Sequence, residues 1–241
     1  MKLAEIFDQL SYGELAQISI GGGNTGGINE SNWVRVLASI NLGLAELHSR
    51  FLIKEGAVAI ELQPGLSTYV IDKKFAVSNY DSDSSVKYIL DTDAAPYDND
   101  LLRIERVYDA NGCELELNMM EDVRAVDYTG CVTTSMNTLI IPATVVGPVT
   151  VMYRATHPLL VKELGYYDVK EVEVALPITY LNALLMFVAS RIMNPIGMSQ
   201  EFHDGNNYSM KYELACAQLL ERNYRVDQSE KNHRAVRNGW V

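Results

Sequence analysis

Apolar positions recur in steps of three and four along separate stretches of the chain. Trp33, Val36, Leu37, Ile40, Leu44, Leu47 and Phe51 fall on one face of a helix. Asn29 or Ser31 can cap that helix, which runs to about Arg50, with Glu30 near its positive end. Leu181, Leu184, Leu185, Val188 and Ile192 form a second stripe in a helix beginning at Pro177, and Tyr208, Tyr212, Ala215 and Leu219 form a third. The segment 194–207 holds Pro195, Gly197 and Gly205 and reads as a loop, so 176–225 predicts two long helices folded back on one another. Near the start, Leu3, Ile6, Phe7 and Leu10 predict a short amphipathic helix. Ser11-Tyr12-Gly13-Glu14 has the form of a capping box and predicts a second one through Leu15 and Ile18.

Between these stripes the period changes to two. Val58, Ile60 and Leu62 alternate with Ala59 and Glu61, and strands are predicted at 66–72, 86–90, 101–109, 114–119, 123–128, 133–141 and 149–155. Asn111-Gly112 is a favoured centre for a two-residue type I′ turn, which pairs Tyr108 with Leu115 and Ile104 with Met119. His157-Pro158 closes the strand region. The predicted fold is α+β: a helical bundle of N- and C-terminal helices, an inserted antiparallel β domain and an extended C-terminal arm. The boundaries fall at 1–55, 56–156, 157–225 and 226–241.

Composition adds limits on function. The 241 residues suit one large domain or a domain with an insertion. A net charge of −11 argues against wrapping nucleic acid through phosphate contacts, whereas a passage lined by carboxylates lets DNA pass without sticking. Cys113, Cys131 and Cys216 show no CxxC spacing and are odd in number, which points away from a disulfide framework or zinc site and toward a reducing compartment. Charges at Lys2 and Glu5 interrupt the N-terminus where a signal peptide needs an apolar run, and the longest apolar stretch, 183–190, is too short to span a bilayer. These features predict a soluble, intracellularly made protein with no membrane partner.

No motif nominates catalytic, cofactor-binding or metal-binding residues. His48, His157, His203 and His233 share no helix turn, and HExxH and GxSxG are absent. A carboxylate pair at glycosidase separation cannot be picked from so many acidic residues. The glycine-rich stretch 21–27 lacks the Gly-Lys-Ser/Thr ending of a phosphate loop and reads as a connector. Aspartates at 81–83, 91–93 and 98–100 suggest either calcium loops or solvated turns; the glycine and glutamate of an EF-hand are missing. Tyr180, Arg191, Tyr208, Lys211 and Tyr212 are polar groups on the helices that either line a pocket or edge a core. The polar tail carries an aromatic residue, Trp240, beside its last position, and reads either as an arm that orders on binding, with Arg234, Arg237, Trp240 and Val241 as its interface candidates, or as a frayed end whose Trp packs on its own domain.

Four stretches carry a resemblance: 40–51, INLGLAELHSRF; 103–109 with the Asn-Gly turn after it; 137–142 continuing to 151–155; and 176–191 followed by Asn207-Tyr208 and Lys211-Tyr212-Glu213. In order and texture they resemble the head-to-tail adaptor, or connector, proteins of short-tailed bacteriophages. The loop at 21–27 departs from that pattern in length and glycine content. The resemblance implies a structural virion protein, not an enzyme, forming a ring of usually twelve copies beneath the portal. It implies a C-terminal arm docked on the portal protein, a β domain facing tail tube, nozzle or fibre proteins, and helices facing a channel through which DNA passes without specific binding. It places the protein at the head–tail junction of the virion, assembled in the host cytoplasm, with no cofactor. The residues leave two rival readings: a tail-associated peptidoglycan hydrolase and a calcium-stabilised binding module.

Overall fold

The computed structural model describes residues 1–16, 28, 30–118, 130–160, 172–193 and 199–222. Four α-helices are present among them: α1 (Leu3–Tyr12), α2 (Trp33–Arg50), α3 (Leu181–Met193) and α4 (Ser199–Glu221). The strands are β1 (Glu55–Ile60), β2 (Thr68–Val70), β3 (Ile89–Leu90), β4 (Leu101–Tyr108), β5 (Glu114–Leu115), β6 (Val132–Ser135), β7 (Thr138–Ile140) and β8 (Val149–Ala155). They form a five-stranded sheet of order β3-β1-β8-β4-β5 and a three-stranded sheet of order β2-β7-β6, with every strand pair antiparallel. The fold is therefore α+β, but the expected helical bundle with a β insertion is corrected. Eight strands in two sheets stand against four separate helices of 10, 18, 13 and 23 residues.

The chain divides into two compact units. One comprises the described residues of Met1–Gly43, Arg50–Leu52 and Leu160–Val241; the other comprises Leu44–Ser49 and the described residues of Ile53–Leu159. This division explains why the bundle reading fails. The apolar stripe of α2 is continuous in sequence, yet its residues 44–49 are counted with the strands rather than with the other helices. Periodicity reports that a helix buries one face and does not report what covers it.

In the first unit, α1 buries Leu3, Ile6, Phe7 and Leu10. Its start is tied to the segment before α3: the Leu3 N–H donates to the Val172 carbonyl at 2.9 Å and the Val174 N–H to the Met1 carbonyl at 2.8 Å. The capping box expected at Ser11 is not formed. Ser11 lies inside α1, donates from its hydroxyl to the Phe7 carbonyl at 2.7 Å and accepts from the Ile28 N–H at 3.2 Å. The carboxylate that reaches back to a free N–H belongs instead to Glu5, which accepts from Lys2 N–H at 3.2 Å. A 3-10 turn, Ile178–Tyr180, follows Pro177 and leads into α3. α3 buries Leu184, Leu185, Phe187, Val188 and Ile192 and packs against α4, where Tyr212, Ala215, Cys216 and Leu219 are buried. α4 starts at Ser199, so Gly205 lies within a helix and not in the expected loop; residues 194–198 lie outside the described set. Gly43 lets α2 approach α3: a Cβ there would stand 2.7 Å from Leu184 Cδ1.

In the second unit the core joins both sheets. Val58, Ile60, Ile104, Val107, Val149 and Val151 come from the larger one, Tyr69 and Leu139 from the smaller, and Ile71 and Ile141 from the positions just after its strands β2 and β7. β1 and β8 pair from Glu55↔Arg154 to Ile60↔Val149, and β4 lies on the other side of β8 with two register shifts. The segment expected as one strand over 133–141 is a hairpin, β6 and β7, turning at Met136-Asn137. The predicted strand 123–128 and Met119 lie outside the described residues; Ile104 pairs with Tyr153.

The turn at 109–113 also differs from expectation. Gly112 N–H donates to the Asp109 carbonyl at 3.0 Å, Asp109 N–H to the Cys113 carbonyl at 2.9 Å, and only Gly112 has positive φ, +78°. This is a three-residue loop with a glycine bulge, which shifts the pairing to Val107↔Leu115 and Tyr108↔Glu114. The cause is the Asp109 carboxylate, whose Oδ1 accepts from the N–H groups of Asn111 at 2.9 Å and Cys113 at 2.8 Å. The slip places Val107, fully buried, toward the core.

Candidate assembly surface

The helices of the first unit carry more apolar residues than they bury. On α2 the buried face is Val36, Leu37 and Ile40, while Val34 is 62% exposed, Leu42 is 57% exposed and Ala38 between them is also exposed. These three are spaced by four and form a second row on the same helix. On α4, behind buried Tyr212, Ala215 and Leu219, Met210 is 68% exposed and Leu214 60% exposed, again one turn apart. A groove lined by Asn182, Met186, Lys211, Leu214, Ala215 and Gln218 runs beside this row, between α3 and α4. An isolated exposed Leu needs no explanation, whereas rows at helical spacing on two helices mark surfaces suited to burial against another chain.

Polar contacts hold both helices in place. Arg50, at the end of α2, makes a two-pronged pair with Glu213 of α4 at 3.1 and 2.6 Å and lies 5.8 Å from the Tyr212 ring centroid. The Arg50 hydrogen bond holds the Glu213 carboxyl below its ordinary value. The pair is exposed, so its contribution to stability is small and its main effect is to fix direction. Asn41 bridges the backbone of Leu160, donating at 2.8 Å and accepting at 2.9 Å. Arg35 donates to the Ile192 carbonyl at 3.2 Å.

The polar helix groups singled out in the sequence do not meet in one place. Tyr180 is buried and edges Phe51 at 5.1 Å between centroids; Tyr212 is buried and edges Phe187 at 5.3 Å. Arg191 lies 5.2 Å from the Phe187 ring, and Lys211 lies 4.7 Å from the Tyr208 ring. They edge the helical core. Arg234, Arg237, Trp240 and Val241, together with the loop at 21–27 and His233, lie outside the described residues.

In the second unit, the aspartate loops are used locally. Burial pushes the Asp91 carboxyl up, and hydrogen bonds from the Ser78 hydroxyl, the Ser78 N–H and the Tyr97 N–H outweigh it, leaving the group below its ordinary value. Asp93 accepts from the Tyr80 hydroxyl at 3.3 Å. Among the described residues no group of three or more His, Cys, Asp or Glu is placed to hold a metal ion. A cavity of about 400 Å³ opens between the loops 62–67 and 141–147, lined by Leu62, Leu66, Ile141, Pro142, Val145 and Val146 with no charged side chain.

One cluster was invisible to spacing rules. His48 and His157 are 109 positions apart, yet their rings meet edge to face with centroids 5.7 Å apart. His48 is fully buried; its Nδ1–H donates to the Ala155 carbonyl at 3.1 Å, and its Nε2 is buried with no hydrogen-bond partner. His157 donates from Nδ1 to the Pro158 carbonyl at 2.6 Å. Burial lowers the pKa of His48 to about 4, with the neighbouring His157 and Lys54 adding to the effect, and burial lowers that of His157 as well.

No protein-family model matches this chain, and no curated protein matches it. No helix among the described residues is long and apolar enough to cross a membrane.

Proposed function

We propose that this chain is a structural virion protein, a ring-forming adaptor that joins the capsid portal of a tailed phage to its tail. The observation that carries the proposal is the second apolar row on each of α2 and α4. A closed ring needs a heterologous contact, made by two unlike surfaces of one subunit, and two separate exposed rows supply them. The sequence resemblance supports the same reading and assigns portal docking to the arm 226–241, with Trp240 as its anchor. In this reading the β unit, with its uncharged cavity at 62–67 and 141–147, faces the tail components.

The test is native mass measured for the protein alone and mixed with its portal, using the full chain, a version ended after Arg225, and Leu42→Lys and Leu214→Lys. The reading expects a large complex with the portal, lost with the arm, and weakened by either lysine while the monomer stays folded. A monomer or small oligomer indifferent to the portal would refute it and return attention to peptidoglycan hydrolysis and calcium binding.

A further inference from the structure

His48 and His157 bring two buried imidazoles together within the second unit, where burial disfavours a charge on either. Residues 44–49, the last turns of α2, are held to the end of β8 by two adjacent bonds. His48 donates to the Ala155 carbonyl, and Arg154 Nη1 donates to the Ser49 carbonyl at 2.7 Å. Both lie within the second unit. Since a carbonyl only accepts, the His48 proton is fixed on Nδ1, and Nε2 is a buried lone pair without a partner.

The titratable groups that act on this imidazole, His157 and Lys54, both disfavour a charge on it. His157 comes from the segment after β8. Lys54, from the segment before β1, is paired with Asp100 at 2.6 Å. Arg154, from β8 itself, is already matched to Glu105 of β4 at 3.0 Å. A proton on Nε2 would therefore add a buried donor with no acceptor and a positive charge with no counter-ion of its own.

We propose that the His48–His157 pair is an acid-sensitive latch: protonation releases residues 44–49 from the end of β8 before the sheet itself unfolds. The direction follows from linkage. A histidine held neutral by the fold favours the closed form above the ordinary imidazole value of about 6.5 and loses that preference as the pH falls toward about 4. The inference is independent of the adaptor reading, because it concerns contacts within one unit.

The experiment is hydrogen exchange by mass spectrometry on the full chain from pH 7.5 to 4.5, corrected for intrinsic exchange rates, with imidazole ¹³Cε1 shifts recorded by NMR. The latch expects exchange in peptides covering 44–49 to rise at least tenfold toward pH 4.5, while peptides covering 149–153 stay protected. It expects His48 to titrate well below the ordinary imidazole range. His48→Phe with His157→Leu should remove the pH step. Should that variant not fold, the wild-type measurements alone decide. Exchange at 44–49 that stays flat, exchange that rises together with β8, or a His48 midpoint near the ordinary value would overturn it.

Discussion

Gly56 and Tyr153 stand opposite each other on β1 and β8, and substituting the glycine tests the packing account of the β unit. A Cβ at position 56 would lie 2.3 Å from Tyr153 Cζ and 2.6 Å from its Cε2 and Oη, the first more than an ångström inside contact distance and the others nearly so. The backbone there is not left-handed, so space alone requires glycine. The ring has little room to swing away. Tyr153 is buried, edges Tyr97 with centroids 6.0 Å apart, and donates its hydroxyl to Asp100 at 2.8 Å. Overpacking of this kind costs about 1–3 kcal/mol. Loss of a hydrogen bond to a carboxylate adds about 1.5–3 kcal/mol if the ring is displaced far enough to break it. The entropy removed from the unfolded chain by Gly→Ala returns about 0.4–1 kcal/mol. Gly56→Ala should therefore destabilise the β unit by about 2 kcal/mol, read as a lower urea midpoint with an unchanged slope. In a Tyr153→Leu background, where the ring is gone, the same substitution should be neutral or slightly stabilising. If the two changes simply add, the clash is not the cause and the reasoning fails.

Acid should weaken the fold through His48. Its drop from 6.5 to about 4 is worth about 3 kcal/mol, lost as pH falls through that window, and urea midpoints at pH 7 and 4.5 measure it against His48→Phe. Arg154 and Glu105 lie 3.0 Å apart with side chains 8% and 13% exposed, an ion pair by distance although that contact is not aligned as a hydrogen bond. Arg154→Met should cost about 3–5 kcal/mol in thermal or urea unfolding, and Glu105→Leu added to it should recover much of the loss. Cys113 is exposed, whereas Cys131 and Cys216 are buried and burial pushes the Cys131 thiol up to about 11. Iodoacetamide should thus label Cys113 in the native protein and reach the other two only after denaturation, as peptide mapping will show.

Local patterns were legible where one residue's neighbours in sequence decide its structure. The strand at 149–155 and the helix ending at Arg50 stand where period two and period 3.6 put them. The Asn-Gly turn was located but misread, because that dipeptide serves both a two-residue turn and a glycine bulge; the discriminating residue, Asp109, stands two positions earlier. α4 begins in a polar stretch without an apolar period, so periodicity could not find its first turns, and Gly205 read as a breaker. What the sequence could not show is long-range pairing. The covering of α2 residues 44–49 and the meeting of His48 with His157 depend on which segment lies across from them, and spacing along the chain does not encode that.

The same division changes the electrostatic argument for a DNA passage. Residues 44–49 and 53–159 hold 17 acidic against 8 basic side chains, a net of −9 out of the chain's −11. The remaining residues, which include most of the helices, are nearly balanced. Net charge therefore gives no reason to line a DNA path with the helices, because the excess of negative charge lies in residues 44–49 and 53–159. Neutralising exposed carboxylates there, as Asp81→Asn, Asp83→Asn and Asp98→Asn, should lengthen retention on immobilised duplex DNA at low salt, about 50 mM. The matched triple Asp8→Asn, Glu173→Gln and Glu221→Gln in the other unit changes net charge equally and should change retention less. Raising the salt must erase the difference, because the effect is screened over a Debye length of about 10 Å at 0.1 M. Equal retention of the two triples would show that total charge, not its placement on the β unit, sets retention on DNA.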